Sequence, residues 1–253
     1  MLSFIGIIPA RYGSNRFPGK PLADISGKPM IQHVYERASA VLTRVVVATD
    51  DERIFNVVKR FGGNAVMTSN DIRSGTDRCA AALEILEKEE GLNADVIINI
   101  QGDEPFLQHD HLIALQKCFE DDKTEIATLI IPSNNREALV NPNRVKVSID
   151  RNNFALYFSR SVIPYYRSAE EYEWYKLHKY YLHIGIYAYR NKILKAIVKL
   201  PQGVLEKAES LEQLRFLENG YRIKTAVTHT ETYCIDTPED LRKLLKLETS
   251  KWK

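Results

Sequence analysis

Short apolar runs alternate along the chain with segments whose apolar residues recur at helical spacing. This alternation predicts an α/β fold, in which helices cover a largely parallel sheet. The predicted strands cover residues 4–9, 44–49, 64–67, 95–100, 126–131 and 222–227. The predicted helices cover residues 29–40, 50–61, 75–90, 109–119, 208–219 and 238–248. We therefore expect a single mixed, mostly parallel sheet flanked by helices.

The pattern changes after Pro132, where strand signals follow one another without helices between them. Apolar residues at 145–149 and 154–158 flank a polar turn, which predicts a β-hairpin. Residues 164–181 contain seven tyrosines or tryptophans among charged residues. Such a segment suits contact with a second subunit, and an irregular surface loop explains it equally well. We therefore predict one domain over residues 1–253, with an inserted β-rich lobe at about residues 140–190.

Residues 182–189 alternate with a period of two, which predicts a strand with two different faces. One face carries His183, Gly185, Tyr187 and Tyr189, and the other carries only apolar side chains. Polar rings over a glycine form a surface on which a sugar could lie. A strand whose polar face lies at an interface explains the same pattern.

Composition narrows the class of protein. The chain has 253 residues, of which 44% are hydrophobic and 27% are charged, as in a globular protein with a sizeable core. Lys and Arg number 35 against 33 for Asp and Glu, and this balance argues against a nucleic-acid-binding protein. The three cysteines form no CxxC pair, and no apolar run approaches the ~20 residues that span a bilayer. We expect a cytoplasmic protein, since no secretory leader is recognisable at the N-terminus.

A loop rich in glycine and proline follows the first predicted strand and carries Arg11, Arg16 and Lys20. It is not a Walker A loop, because Pro21 replaces the hydroxyl residue that should follow the lysine, and it has no G-x-G-x-x-G. In open α/β sheets, ligands bind at the carboxyl ends of strands. Three cations there can surround a triphosphate, although a basic solvated loop is the simpler reading of the charges alone.

Two further segments fall at the same predicted edge. Asp103 follows a buried strand after Gln101 and Gly102, so its carboxylate could hold Mg²⁺ against phosphate oxygens, or belong to an ordinary acidic turn. Ser74 and Arg78 flank the start of a predicted helix, which could meet a nucleotide. Ser74 is also a plain helix cap in this pattern, and the two roles are compatible.

Seven motifs along the chain resemble those of the sugar-acid cytidylyltransferases, which join CMP to an acidic sugar. The first is Arg11-x-x-Ser14-x-Arg16-x-Pro18-x-Lys20-Pro21-Leu22. The others lie at residues 74–78, 99–105, 155–160, 183–187, 211–215 and 236–240. Within the family, these segments are most similar to the members that act on 3-deoxy-manno-octulosonate (Kdo). The similarity runs from about residue 3 to residue 247.

The resemblance implies a fold and a set of roles. The fold would be that of the nucleotide-diphospho-sugar transferases, which are related to the Rossmann fold, with a small β-rich dimerisation subdomain. Catalysis would rest on Arg11, Lys20, Asp103 and Asp236, and the last two would hold Mg²⁺. The nucleotide would contact Ala10, Arg11, Arg16, Lys20, Ser74, Arg78 and Gln101. The sugar would contact Gln101, Arg160, His183, Tyr187, Glu212 and Gln213.

The implied reaction converts CTP and Kdo to CMP-Kdo and pyrophosphate, for lipopolysaccharide biosynthesis, in a cytoplasmic homodimer. Asp236 has an alternative role as a partner of the helix dipole, because it lies just before a predicted N-cap. Cys234 departs from the family pattern, in which a small residue is expected. Three alternatives remain open: the same chemistry on 8-amino-Kdo, the same chemistry on a sialic-type acid, or a nucleotide-sugar binding module without turnover.

Overall fold

The computed structural model describes residues 2–13, 16–231 and 234–247, and the chain divides into two compact units. Unit 1 comprises residues 1–109 and 232–253, and unit 2 comprises residues 110–231. No helix among the described residues is long and apolar enough to cross a membrane. The prediction of one domain with an inserted β-rich lobe at about residues 140–190 stays a prediction.

Unit 1 is built on four parallel strands. Its elements are β1 (Phe4–Ala10), β2 (Asp24–Ile25), β3 (Lys28–Pro29), α1 (Met30–Ser39), β4 (Val45–Thr49), α2 (Glu52–Arg60), β5 (Ala65–Met67), α3 (Gly75–Glu90) and β6 (Val96–Asn99). Strands β6, β1, β4 and β5 pair in that order, all in parallel. Their nearly continuous apolar sequences are buried, which is typical of strands covered on both faces. The carboxyl ends of β1 and β6 therefore lie at the same edge, with the loops that follow them.

Unit 2 has antiparallel and parallel strands. Its elements are α4 (His109–Cys118, of which His109 belongs to unit 1), β7 (Ile126–Ser133), α5 (Arg136–Val140), β8 (Lys146–Ile149), β9 (Ala155–Ser159), α6 (Trp174–Leu177), β10 (Tyr180–Arg190), α7 (Asn191–Ile197), α8 (Val204–Glu209), α9 (Gln213–Glu218) and β11 (Ile223–Val227). Strand β7 pairs with β10 antiparallel and with β11 in parallel. Strands β8 and β9 form the predicted hairpin, and β8 also pairs with β10. The predicted fold class, mixed and mostly parallel strands flanked by helices, is confirmed.

Local sequence explains where several helices begin and end. Ser74 caps α3, since its hydroxyl accepts a hydrogen bond from the Asp77 N–H at 3.0 Å. Asp51 caps α2 in the same way. Gly91 ends α3 with a φ of 65°, a left-handed conformation that glycine adopts without strain. Helix α10 (Pro238–Leu247) begins where proline predicted it, and the predicted end at residue 248 lies outside the described residues.

The prediction of one helix over residues 208–219 is wrong. Helix α8 ends at Glu209 and α9 begins at Gln213, so a corner interrupts the apolar stripe. Ser210 lies between them with a φ of 51°, and a left-handed residue cannot continue an α-helix. The apolar spacing of residues 211, 214 and 217 gave no signal of this break.

Candidate functional site

A cavity of about 240 Å³ lies in unit 1 at the carboxyl edge of β1 and β6. All predicted nucleotide and catalytic residues line it, namely Ala10, Arg11, Arg16, Lys20, Ser74, Arg78, Gln101, Asp103 and Asp236. Arg73 also lines it, although the sequence reasoning did not select it. Its position directly before the helix cap at Ser74 was the available signal. The structure thus brings residues from four separate segments together.

The loop after β1 is folded back so that Lys20 enters the cavity. The Gly19 N–H donates to the Tyr12 carbonyl at 2.9 Å, and Gly19 has a φ of 71°. A Cβ atom there would lie 3.1 Å from the Tyr12 ring, so glycine is required for both its conformation and its size. A 3-10 turn over Lys20–Leu22 follows directly. Ser14, part of the predicted motif, lies outside the described residues.

Asp103 is placed by a close approach of two backbones. A Cβ atom on Gly102 would lie only 3.0 Å from the Pro9 carbonyl oxygen. Gly102 has no positive φ, so this position requires glycine because a side chain would not fit there, and not because of its backbone conformation. The next residue, Glu104, is 7% exposed, and burial together with the Asp103 charge raises its pKa to about 8. Of these two neighbouring carboxylates, only Asp103 lines the cavity.

The segment before α10 brings Asp236 beside Asp103. The Ile235 N–H donates to the Asp103 carbonyl at 3.0 Å, and the Ile235 side chain is buried with Ile25 and Met30. The predicted cap of α10 is confirmed, because the Thr237 hydroxyl accepts from the Asp240 N–H at 3.2 Å. Apolar packing and a helix cap thus fix the position of the second carboxylate.

Two cations neutralise these carboxylates. Lys20 Nζ lies 2.6 Å from an oxygen of Asp103 and 3.5 Å from an oxygen of Asp236. Arg16 donates two hydrogen bonds to the Asp236 carboxylate, at 3.0 and 3.1 Å. Burial alone lowers the pKa of Lys20, but the Asp103 carboxylate outweighs it and holds that pKa above its usual value. Lys20 is therefore a permanent positive charge at the carboxylate pair.

The donor set at this position fits a divalent metal ion. One oxygen each of Asp103 and Asp236 and the sulfur of Cys234 lie within 4.8 Å of one another. Carboxylate oxygens are the ligands that Mg²⁺ takes beside phosphates and water, and Lys20 already places a positive charge between them. Partial burial and the Asp103 and Asp236 charges raise the pKa of Cys234, so its sulfur stays a neutral thiol there. The two carboxylates are the groups that suit magnesium.

Arg78 lines the cavity but is held from behind. Its side chain is 3% exposed, and its guanidinium donates to Asp50 at 2.6 Å, to Thr68 at 2.5 Å and to the Ile72 carbonyl at 3.2 Å. These bonds hold the turn before α3 as well as the arginine itself. Arg78 thus shapes the unit 1 cavity through the segment that carries Ser74.

The predicted sugar residues His183 and Tyr187 lie on β10 in unit 2. The strict alternation predicted for residues 182–189 is interrupted, because three residue steps on β10 match a single step on β7 between Ile184 and Tyr187. Because the bulge adds two residues, an even number, His183 and Tyr187 still point to the same face of the sheet. Their ring centroids lie 5.3 Å apart. His183 and Tyr187 therefore share one face, as predicted, although β10 contains a bulge that the sequence did not predict.

His183 is neutral at ordinary pH. Burial lowers its pKa to about 3, and its Nε2 atom lies 3.0 Å from the Thr128 hydroxyl oxygen. That hydroxyl lies 2.8 Å from the Ile186 carbonyl, to which it donates, so it accepts from an Nε2–H of His183. Nδ1 is then the ring atom that can accept a hydrogen bond. The residue can bind a sugar hydroxyl but supplies no charge to a carboxylate.

The other predicted sugar residues lie at the break between α8 and α9 and at the end of β9. Glu212 precedes α9 and, after burial, contributes to raising the pKa of Tyr187. Gln213 is 6% exposed, and its buried Nε2 has no hydrogen-bond partner among the described residues. The Arg160 guanidinium donates to three backbone carbonyls, those of Glu209, Pro142 and Ser210. Part of its hydrogen-bonding capacity is therefore used to hold the protein rather than a ligand.

Comparison with known proteins identifies relatives over nearly the whole chain. A cytidylyltransferase family model matches residues 5–223. A 3-deoxy-manno-octulosonate cytidylyltransferase of Parabacteroides distasonis is 57% identical, over 97% of this chain and 98% of that protein. An 8-amino-3,8-dideoxy-manno-octulosonate cytidylyltransferase of Shewanella baltica is 49% identical, over 94% of this chain and 95% of that one. A solved CMP:2-keto-3-deoxy-manno-octonic acid synthetase in complex with CTP is 45% identical over 97% of this chain and 98% of its own, with a TM-score of 0.88.

Proposed function

This chain belongs to the cytidylyltransferase family, and from that membership we propose that it converts CTP and Kdo to CMP-Kdo and pyrophosphate. The product is an activated sugar for lipopolysaccharide biosynthesis. The single observation that carries the proposal is the unit 1 cavity, in which Arg11, Arg16 and Lys20 meet Asp103 and Asp236. A solved relative of nearly the same length is in complex with CTP.

The cavity suits a nucleoside triphosphate. Arg11 and Arg16 present planar groups that can bind phosphate oxygens in pairs, and Lys20 presents a compact charge. The start of α3 at Gly75 also faces the cavity, and the free N–H groups of a helix start favour an anion. Lys20 offsets the charge that develops as pyrophosphate leaves.

The reaction asks for positioning more than for covalent chemistry by the protein. The anomeric hydroxyl of Kdo attacks the α-phosphorus of CTP, a P–O bond forms, and the bond to the pyrophosphate oxygen breaks. The chain's contribution is to hold the two reactants in line and to neutralise phosphate charge. Asp103 and Asp236 would hold Mg²⁺, which when bound adds positive charge at the phosphates.

Within unit 2, the acidic sugar would be bound by the residues that the family resemblance assigns to it. His183 and Tyr187 offer neutral hydrogen-bonding groups, while Glu212 and Gln213 reach it from the start of α9. Positive charge for the sugar carboxylate comes from Arg160, whose guanidinium has five N–H donors and uses three on carbonyls.

The protein would work in the cytoplasm as a homodimer. None of Cys79, Cys118 and Cys234 forms a disulfide bond, as suits a reducing compartment. The aromatic-rich segment has exposed apolar side chains at Tyr165 and Tyr172, which are 74% and 58% exposed. Sedimentation of the purified protein at micromolar concentration tests this, because a monomer would contradict the homodimer.

The decisive experiment is pyrophosphate release by the purified protein with Mg²⁺. CTP, UTP, ATP and GTP are each combined with Kdo, 8-amino-Kdo and N-acetylneuraminate. We expect turnover with CTP and Kdo only. Preference for 8-amino-Kdo would keep the chemistry and change the sugar, as in the Shewanella baltica relative. CTP binding without turnover on any sugar would contradict an enzyme and favour a binding module.

A further inference from the structure

Lys146 is a fully buried lysine on β8, with 0% of its surface exposed. Its Nζ atom donates to the carbonyl of Asn141, at 3.0 Å, and to the carbonyl of Arg160. Burying an ammonium group is costly unless it is well hydrogen-bonded, and an apolar residue would fill the same space without that cost. We infer that the role of Lys146 is to make these two hydrogen bonds.

Glu209 also forms hydrogen bonds with Arg160, whose carbonyl accepts from Lys146. Its carboxylate accepts from the Ser159 hydroxyl at 2.6 Å and from the Arg160 N–H at 2.9 Å. The Arg160 guanidinium in turn donates to the Glu209 carbonyl at 2.7 Å and to the Ser210 carbonyl at 3.3 Å. Four hydrogen bonds therefore join the end of β9 to the end of α8.

These bonds act on the corner between α8 and α9. Ser210 has a left-handed φ of 51°, which is unfavourable for a residue with a Cβ atom and persists when surrounding contacts fix it. Its carbonyl is one of those that Arg160 binds. Beyond the corner, Arg215 of α9 donates to Glu206 of α8 at 2.6 and 2.7 Å, which closes the corner on its far side.

The corner carries the two predicted sugar ligands Glu212 and Gln213. Burial and the charge of Glu212 raise the pKa of Tyr187. The buried Nε2 atom of Gln213 has no hydrogen-bond partner among the described residues. A hydrogen-bonding group displaced by about an ångström loses much of its effect on a bound substrate. The hydrogen bonds of Lys146 and Glu209 therefore bear on sugar binding through Arg160 and the corner.

We propose that Lys146 and Glu209 are positioning residues for the acidic sugar, which hold Arg160 and the α8–α9 corner in the conformation that binds it. The inference rests on the proposed function, since it assigns the sugar to this corner. Neither side chain needs to touch the substrate. The nucleotide cavity is formed by residues of unit 1, so the effect should fall on one substrate only.

The test uses Lys146→Met, which keeps the length of the side chain but removes the donors, and Glu209→Gln, which keeps the shape but removes the charge and one acceptor. Arg190→Met is the matched control, because Arg190 also donates to a backbone carbonyl in unit 2, that of Thr124 at 3.1 Å. It lies at the opposite end of β10 from Leu182, the residue that pairs with Lys146. For each protein, KM and kcat are measured for both substrates, together with hydrogen exchange of residues 209–214.

We expect Lys146→Met and Glu209→Gln to raise the KM for Kdo at least tenfold and to leave the KM for CTP within twofold. Amide exchange at residues 209–214 should become faster in both variants. Arg190→Met should change neither KM by more than twofold. Unchanged Kdo kinetics, an equal rise in both KM values, or the same effect in Arg190→Met would overturn the inference. If Lys146→Met does not fold, the milder Glu209→Gln decides.

The wild-type protein separates this inference from the proposed function. Absence of wild-type turnover on Kdo overturns the proposed function, and the inference falls with it. Normal wild-type turnover combined with unaffected variants overturns the inference alone.

Discussion

The ammonium group of Lys20 lies between two carboxylates, 2.6 Å from Asp103 and 3.5 Å from Asp236. The same two carboxylates are those that we propose to hold Mg²⁺. Without nucleotide, the protein thus supplies its own positive charge where the metal would bind. A metal ion at the proposed position would therefore compete with Lys20 for the Asp103 carboxylate.

Replacing Lys20 with methionine should strengthen metal binding to the protein without nucleotide. The change removes a like charge from the metal position and frees the Asp103 carboxylate. We expect Mn²⁺, used as a probe for Mg²⁺, to bind about tenfold tighter, or ~1.4 kcal/mol. Water proton relaxation measures the binding. Lys28→Met is the control, since Lys28 pairs with Glu36 on the surface. Equal Mn²⁺ affinity in wild type and Lys20→Met would contradict the proposed metal position.

The same lysine should matter more for the nucleotide than for the sugar. In Lys20→Ala, loss of a charge at the triphosphate should raise the KM for CTP and lower kcat, while the KM for Kdo changes little. Steady-state pyrophosphate release with each substrate varied in turn measures the difference. An unchanged KM for CTP together with an unchanged rate would count against Lys20 as a phosphate ligand.

Asp103→Asn should keep the fold and lose most turnover. The substitution removes one negative charge from the metal position without changing packing. We expect kcat to fall at least 100-fold at saturating Mg²⁺, which corresponds to about 2.7 kcal/mol. Circular dichroism should stay as in the wild type. Asp110→Asn, an acidic residue of unit 2 outside the cavity lining, serves as control. Normal turnover in Asp103→Asn would remove this residue from the metal site.

Arg78→Met should destabilise the protein. The guanidinium is 3% exposed and pairs with Asp50 at 2.6 Å, so its removal leaves a partly buried carboxylate without its partner. The free energy of unfolding should fall by about 3 kcal/mol. Urea denaturation measures it. In Arg144→Met, loss of the exposed pair with Glu231 should cost less than about 1 kcal/mol. An equal loss of unfolding free energy in the two variants would contradict the larger contribution expected of the buried Arg78–Asp50 pair.

Stability should fall in mild acid because of His183. Burial lowers its folded-state pKa to about 3, below the ~6.5 of an unfolded histidine, so between these values the unfolded chain binds more protons. The contribution is complete above pH 6.5 and declines by about 1.4 kcal/mol per pH unit as pH falls toward 3. Urea denaturation at pH 7 and pH 4.5 should show a larger loss in wild type than in His183→Gln. His229→Gln, at an exposed position, should behave like the wild type. Equal losses in wild type and His183→Gln would contradict a buried neutral histidine.

Much of the fold follows from signals that are local in sequence. The capping residues Ser74 and Asp51 and the glycine at 91 set helix ends within one or two residues of their predicted positions. Continuous apolar runs predicted the buried strands of unit 1 because both faces of those strands are covered. The strand and helix pattern predicts that Arg11, Asp103 and Ser74 lie at one edge of the sheet, where they line the cavity, whereas their roles come from the resemblance to a family.

What could not be predicted depends on contacts between distant residues. The break at Ser210 is fixed by Arg160, which a helical periodicity cannot register. Lys146 alternates with apolar residues in β8, as an exposed lysine would, and its burial follows from the carbonyls of Asn141 and Arg160. The bulge in β10 similarly follows from its pairing with β7.

The two carboxylates of the cavity are separated in the sequence by the whole of unit 2, because Asp103 precedes it and Asp236 follows it. Arg16 and its partner Asp236 are 220 residues apart along the chain, although both belong to unit 1. During synthesis, a ribosome delivers Lys20 and Asp103 early and Asp236 only after all of unit 2. A nascent or truncated chain that stops within unit 2 therefore has the cations of the cavity but only one of its two carboxylates. If the proposed roles hold, a complete site for metal and nucleotide would form only in chains whose translation has passed Asp236.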